Sequence, residues 1–411
     1  MSENLVVRNE SEERMKKFSF IYLMVFCVSA FIDAVEVMVP YVIAFYGVLS
    51  VASIVYIVLY FKKVGLKNKW SFPVICFTVF SLFTIISMIV NKGSMDRNAV
   101  AIFNLLEILS VFAAVYELYD RIDEIIRIIS SLVACFSTLV LLLSLDIFNT
   151  VMGAGITPNP NTLAILLVSG IMSAIYLLIF NRNIVIKIAM GFCAVFLGAG
   201  LFKTESRTSY MSILIGLVLF SFLLILKFSR PERRKIYILS AVLCVVLISM
   251  VIVPRIFVSK YGSSSIFSGR EAIWQDSIKA VKGRSFLGFG GNTALIGESF
   301  SQFNNESTLY FAKAHLLHNI YIQILVEYGF VALVSFLAAV LFILLKIFVE
   351  YIRKEHIQKA IAFAFSMVAL FLVHGCAESS ILYIGGQEQF CFTFFLAVLY
   401  AELYARKGRN V

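Results

Sequence analysis

The sequence predicts an all-α integral membrane protein of about twelve transmembrane helices, with one large external loop that contains short amphipathic helices. Three observations predict it. Hydrophobic residues make up 60% of the 411 and charged residues only 15%, with a mean hydropathy of +0.92, far from the composition of a soluble globular chain. Apolar runs of about 20 residues, the length that crosses a hydrocarbon core, recur along the whole chain. The Lys and Arg residues between the runs concentrate in alternate breaks, the asymmetry that orients short loops across a membrane.

Taken in order, the N-terminal segment is polar and charged (Glu3, Arg8, Glu10, Glu12, Glu13, Arg14), and the first apolar run lacks a small-x-small cleavage site. The first span is therefore expected to be retained, not removed as a signal peptide. Spans are expected near 18–34, 38–61, 70–90, 98–118, 125–148, 161–180, 184–202, 208–227, 236–253, 318–345, 360–380 and 389–405. The first two abut around Asp33, Glu36 and Pro40, and the tenth is long enough to tilt or project. One set of alternate breaks, including both terminal tails, collects 24 of the 35 Lys and Arg residues. Of the other 11, seven lie in the loop 254–317 between spans nine and ten, where the charge rule has less force. Both termini are accordingly expected in the cytoplasm, and the loop 254–317 on the outward face of the membrane.

No internal repeat or low-complexity tract divides the chain, so 1–411 reads as a single polytopic membrane domain. The net charge of +10 is topological, because the cations are spread through short loops instead of gathered into an aromatic-interleaved patch, and no nucleic-acid partner is expected. The seven cysteines lie in or beside apolar runs without a CxxC pair, which reads as small core hydrophobes and not as disulfides or metal ligands.

The outward breaks are the chemically richer ones: 91–98, 153–161 with its Pro158-Asn159-Pro160-Asn161 turn, 203–207, the long loop, and 378–389. In the long loop, Ser268-Gly269-Arg270-Glu271 has the spacing of a capping box with Ser268 as N-cap. Ile273, Trp274, Ser277, Ile278 and Val281 then share one helical face, which predicts an amphipathic helix on the outer surface with Trp274 at headgroup level. Arg270 falls in its first turn, where free N–H groups already favour an anion; a solvated cation or a lipid-headgroup contact are the plainer readings. Gly288-Phe289-Gly290-Gly291 lacks the preceding strand and following Lys-Ser/Thr of a phosphate loop and reads as a turn.

His315 and His318 stand three apart, on one face of an expected helix, but no third ligand of the right type lies near, so no metal is expected. A neutral imidazole at the water–membrane boundary suits a general base for a hydroxyl, or serves as an interfacial anchor. Arg207 opens the eighth span against the charge trend, where it pairs with Glu205 or a lipid phosphate, or serves a substrate. Glu107 and Glu327 are costly in hydrocarbon and should face the interior of the bundle.

Three signals occur in order: Ser206-Arg207-Thr208; Ser268-Gly269-Arg270 with Ile273-Trp274 and Gly288-Phe289-Gly290; and His318-Asn319-Ile320-Tyr321 with Gln323, Glu327 and Gly329. In this order and topology the chain resembles the bacterial O-antigen ligase and polysaccharide polymerase superfamily, most sharply over residues 201–334. The resemblance implies a GT-C type glycosyltransferase fold without cofactor or metal. It implies transfer, with inversion, of a glycan from an undecaprenyl-pyrophosphate-linked oligosaccharide to an acceptor glycan hydroxyl. His318 matches the catalytic base, and Arg207 and Arg270 match the arginines that hold the pyrophosphate; His315, Lys203, Lys313 and Glu327 are secondary candidates. The run from His318 to Gly329 looks more like polymerase members, with a chain-length regulator protein as a further partner besides the lipid bilayer. Transfer to lipid A-core by a ligase, or to a protein as in some relatives, is the alternative. A transporter or lipid-linked oligosaccharide flippase is the alternative of another class, disfavoured because the halves are dissimilar and the polar signal sits in one asymmetric loop.

Overall fold

The computed structural model describes residues 2–33, 35, 39–64, 71–145, 154–228, 269–303, 306–314, 316–353, 358–382 and 386–405. Among them no strand occurs. Long helices come first: α1 (Ser2–Asp33), α2 (Val39–Val64), α3 (Phe72–Val90), α4 (Met95–Glu117), α5 (Ile122–Ser144), α6 (Pro160–Phe180), α7 (Ile184–Thr204) and α8 (Arg207–Phe228). Three short ones follow, α9 (Arg270–Val281), α10 (Thr293–Ser301) and α11 (Glu306–Lys313), and then α12 (Ile320–Arg353), α13 (Lys359–His374) and α14 (Gln387–Tyr404). The expected span near 236–253 lies outside the described residues, as do Cys244, residues 254–268 of the loop, His315 and His356.

Among the described residues, 8 helical segments are long and apolar enough to cross a membrane, built on α1, α3 to α8 and α12. The helices at the other expected spans are less clear-cut. α2 and α13 carry shorter apolar stretches, Tyr46–Lys62 and Lys359–His374, and α14 begins Gln387-Glu388-Gln389 and carries Glu402 near its end.

Local chemistry starts several of these helices. Asn159 caps α6 by accepting from the Thr162 amide at 2.9 Å, with Pro160 at the first helical position, and Asn183 caps α7 through the Val185 amide at 2.9 Å. α14 is buried almost all round, from Gln387 to Leu403, and packs on α1, α4, α12 and α13 as the axial element. α7 shows the reverse pattern: Phe192 and Val195 are 73% and 74% exposed, as suits side chains turned to hydrocarbon instead of water. The interior carboxylates are where their cost in hydrocarbon predicts. Glu107 is buried and accepts from Gln389 Nε2 at 2.6 Å, and Glu327 is buried and accepts from Gln323 Nε2 at 2.5 Å. The cysteines divide differently from expectation: Cys27, Cys76 and Cys391 are buried, whereas Cys135 and Cys376 are exposed, because only part of each helix faces the interior.

The two ends of the bundle differ. One carries the Lys16–Asp120 pair at 2.6 Å and Lys359 stacked 5.3 Å from the Phe180 and Phe228 rings. The other carries the short helices, tied to the α3–α4 turn by Asn292 Nδ2 to the Asn91 carbonyl at 2.7 Å. There α9, α10 and α11 enclose a small apolar core of their own, with Ile273, Val281, Phe289, Phe300, Ala312 and Leu317 buried against Val326 of α12.

That core explains two departures from the sequence reading. α12 is not one continuous rod: Gly329, at φ 85 and ψ 178, interrupts it, and the Phe330 amide reaches out to the Ser285 carbonyl at 2.6 Å. The gap is filled by the glycine turn, whose Phe289 and Gly290 amides donate to the Val326 and Glu327 carbonyls at 2.8 and 2.7 Å. The turn is thus a packing element, and its glycines are needed for close approach. At Gly288 (φ +65) an added Cβ would lie 2.5 Å from the Val326 carbonyl oxygen and 2.7 Å from the Glu327 carbonyl carbon. Gly288→Ala should therefore cost about 2 kcal/mol or more, from left-handed strain and overpacking together. A thermal melt of the detergent-solubilised variant matching wild type would remove this account of the turn.

Candidate active site

The site is built where turns at one end of the bundle meet. His318 lies ahead of α12, not on a helix face, and adopts a left-handed conformation with φ 51. That geometry is uncommon for a residue with a side chain and persists only where neighbours impose it. They do so on both sides. The Leu317 amide donates to Gln323 Oε1 at 2.9 Å, and the Leu317 carbonyl accepts from Trp274 Nε1 at 3.0 Å. Asn319 caps α12, its Oδ1 accepting from the Tyr321 and Ile322 amides at 3.0 and 3.1 Å, while its Nδ2 donates to the Cys376 carbonyl at 2.8 Å.

The turn after α13 is joined to this corner through its backbone. The Ile320 amide donates to the Gly375 and Glu378 carbonyls at 2.9 and 3.2 Å, and the Glu378 amide donates to the His374 carbonyl at 3.0 Å. Glu378 is thereby held beneath His318, and its carboxylate is the centre of the cluster. His318 Nδ1 lies 3.0 Å from Oε2; Arg270 Nη1 lies 2.8 Å from Oε1; Asn161 Nδ2 donates to Oε1 at 2.6 Å. Arg270 Nη1 also donates to the Ala377 carbonyl. Burial by itself would push the Glu378 carboxyl up, but the Arg270 guanidinium and the His318 hydrogen bond override it and hold the carboxyl down at about 2.

An ionised carboxylate only accepts, so His318 Nδ1 is the donor in this pair, and Nε2 is the ring nitrogen not bonded to Glu378. His318 is 20% exposed and Arg270 17%. The hydrogen bond of Arg270 to Ala377 and its ion pair with Glu378 both use Nη1, which leaves Nε and Nη2 of a planar five-donor group for a ligand.

Of Arg207, Arg270 and His318, expected to meet at one site, Arg270 and His318 do so at one carboxylate. Arg207 opens α8 just after Glu205, whose φ of 51 ends α7. α8 runs antiparallel to α13, with Gly216 against Leu370 and the Phe220 ring 5.6 Å from Phe363, and this register sets Arg207 at the same end of the bundle as Glu378. Lys203 is in the last turn of α7, and Lys313 ends α11 alongside Gly297. Glu327 is buried below the corner, where Gln323 links it to Leu317. His315 lies outside the described residues.

Three details differ from expectation. Gly269 is the N-cap of α9, at φ 82, with no side-chain capping bond; Ser268 lies outside the described residues. The buried face of α9 is Ile273, Ser277 and Val281, while Ile278 is 52% exposed. Trp274 is turned to the Leu317 carbonyl beside His318, because α9 packs on the loop's own core as well as on α12. Trp274→Phe should leave that carbonyl without its donor at a cost of about 1 kcal/mol, read as a lowered melting temperature; an unchanged one would show the bond to be dispensable.

Glu378 and Asn161 are the residues that sequence reasoning missed. The only signal was their place in the polar outward breaks 153–161 and 378–389.

Apolar helices able to cross a membrane, with a base, a carboxylate and a guanidinium gathered at one end, define a membrane protein able to hold an anion and take up a proton in one place. Residues 192–337 match the family described as O-antigen ligase. Over 249 residues the chain is 25% identical to the ComP-specific O-oligosaccharyltransferase of Acinetobacter baylyi, an alignment covering 58% of this chain and 41% of that one. The chain thus aligns with less than half the length of that relative. The family match runs from α7 through Arg207, Arg270 and His318 into α12, and ends before Glu378.

Proposed function

We propose that the chain transfers a glycan from an undecaprenyl-pyrophosphate carrier to an acceptor sugar hydroxyl at the outer face of the cytoplasmic membrane. In this reading both termini are cytoplasmic and the domain is a GT-C type bundle of about twelve spans. The observation that carries it is the convergence of Arg270 and His318 on Glu378, with Nε2 of the imidazole left for a substrate.

The chemistry asks little more. The acceptor oxygen forms a bond to the anomeric carbon as the bond to the pyrophosphate oxygen breaks, which inverts that carbon. The acceptor's proton passes to His318 Nε2, and Glu378 stabilises the imidazolium through Nδ1–H. The pyrophosphate leaves with the bonding pair, and its growing charge is met by the Nε and Nη2 donors of Arg270 and by Arg207. No metal takes part in this scheme. Polymerisation of lipid-linked repeat units of a surface polysaccharide is the primary form, supported by the His318 to Gly329 run; transfer to lipid A-core is the alternative.

In a strain lacking its own polymerase for the same glycan, the wild-type chain should restore long surface polysaccharide. Arg270→Ala, at equal membrane abundance, should reduce transfer by about a hundredfold, the usual cost of one charge-stabilising donor. If the purified wild type instead moves lipid-linked oligosaccharide across liposomes and forms no glycosidic bond, the transporter reading replaces this one.

A further inference from the structure

The imidazole of His318 stands between two walls of different chemistry. On its Nδ1 side lie Glu378, Arg270 and Asn161, a charged and hydrogen-bonding wall. Against the ring itself lies Phe311, with centroids 5.0 Å apart at 69°. Tyr310 continues that second wall outward, its ring 5.4 Å from Phe311 at 77°, and it is 67% exposed. Both aromatics project from α11, which is fixed by burying Thr308 and Ala312 and by the bond from Thr308 Oγ1 to Asp276 at 3.3 Å. Tyr310 thus offers an uncovered aromatic face next to the corner that holds His318.

We propose that α11 presents the binding platform for the acceptor, and that the acceptor is a sugar ring stacked by its C–H face on Tyr310, with Phe311, nearly perpendicular to it, as the wall that leads to His318. The inference rests on the transfer reading above and adds what that reading leaves open, namely which side of His318 each substrate occupies. The anionic donor belongs with the cations. An uncharged pyranose has no use for that wall, but its apolar face stacks on aromatic rings while its hydroxyls stay free at the edges. A ring lying on Tyr310 with its edge against Phe311 points an edge hydroxyl toward the corner that holds His318. A base placed between donor and acceptor is what a single displacement at the anomeric carbon requires.

The test separates binding from transfer. The probe is the oligosaccharide released by mild acid from the surface polysaccharide of the strain that carries this chain, free of lipid and phosphate. Its affinity is measured by saturation-transfer NMR on the full-length protein in nanodiscs. Tyr310→Ala should weaken binding about tenfold, and Tyr310→Phe should stay within about twofold of wild type, because the ring face and not the hydroxyl is used. Phe311→Leu, which keeps most of the packing volume, should weaken binding about as much as Tyr310→Ala. His318→Ala should bind the probe yet lose about a hundredfold or more of transfer. The platform is refuted if Tyr310→Ala binds as wild type does, if Tyr310→Phe loses as much as Tyr310→Ala, or if wild type binds no released glycan, as for a protein acceptor. A His318→Ala variant that transfers within about tenfold of wild type counts against the general-base role alone, and a wild type that binds the probe yet forms no glycosidic bond counts against the transfer reading alone.

Discussion

His318→Ala is expected to reduce glycan transfer by about a hundred- to ten-thousandfold, the range over which a positioned general base acts. The fold should survive, because the features that hold this corner together are backbone and neighbouring groups: Leu317 with Trp274 and Gln323, and Asn319 with α12 and Cys376. Removing the side chain also relieves none of the left-handed strain at φ 51, so His318→Gly at the same position makes a useful control. It should be more stable than His318→Ala and equally inactive. Measured transfer by either purified variant within tenfold of wild type would end the general-base assignment.

Glu378→Gln should cost about as much, for a different reason. The amide keeps the shape of the carboxylate but lacks its charge, so it cannot stabilise an imidazolium, and it leaves the Arg270 guanidinium without a counter-charge in a largely buried place. If the two residues act as one unit, the double variant His318→Ala/Glu378→Gln should lose no more transfer than either alone. Strictly additive losses would separate them.

The same carboxylate gives the fold an acid-side signature. Glu378 is held at about 2, below its ordinary value of 4.5, so ionised Glu378 contributes stability above pH 4.5 that is lost as the pH falls from there toward 2. Wild type should therefore lose more melting temperature between pH 6 and pH 3 than Glu378→Gln does, in detergent at fixed salt. Equal slopes would mean that the Arg270 and His318 contacts do not favour the charged form.

Much of the architecture was legible because it is local. An apolar run of membrane length declares itself without reference to any partner, and the boundaries expected for the third to eighth spans fall within a few residues of α3 to α8. Glu107 and Glu327 could be placed in the interior from a solvation cost alone. The inner face of α9 was readable from helical spacing, except for Ile278, which sits at the margin of the stripe. The glycines of 288–291 announced a turn by their conformational freedom.

The site was legible only in fragments. Arg270 and His318 carried recognisable motifs, but the group that joins them did not. Glu378 sits 60 residues from His318 in a turn with no periodicity, and Asn161 lies 217 residues from Glu378 at the start of α6. Whether either side chain reaches the other depends on how α6, α12 and α13 pack, and no spacing along the chain encodes that. The same holds for Trp274, which spacing assigns to a lipid headgroup and packing assigns to the Leu317 carbonyl. By itself, then, the sequence determined a helical membrane protein with a long polar loop and two of the residues gathered at Glu378, because hydropathy, charge and helical period are properties of neighbouring residues. Tertiary structure alone decided that a carboxylate binds those two together and that an aromatic wall faces them, because a convergence of side chains from distant turns exists only once the helices have packed.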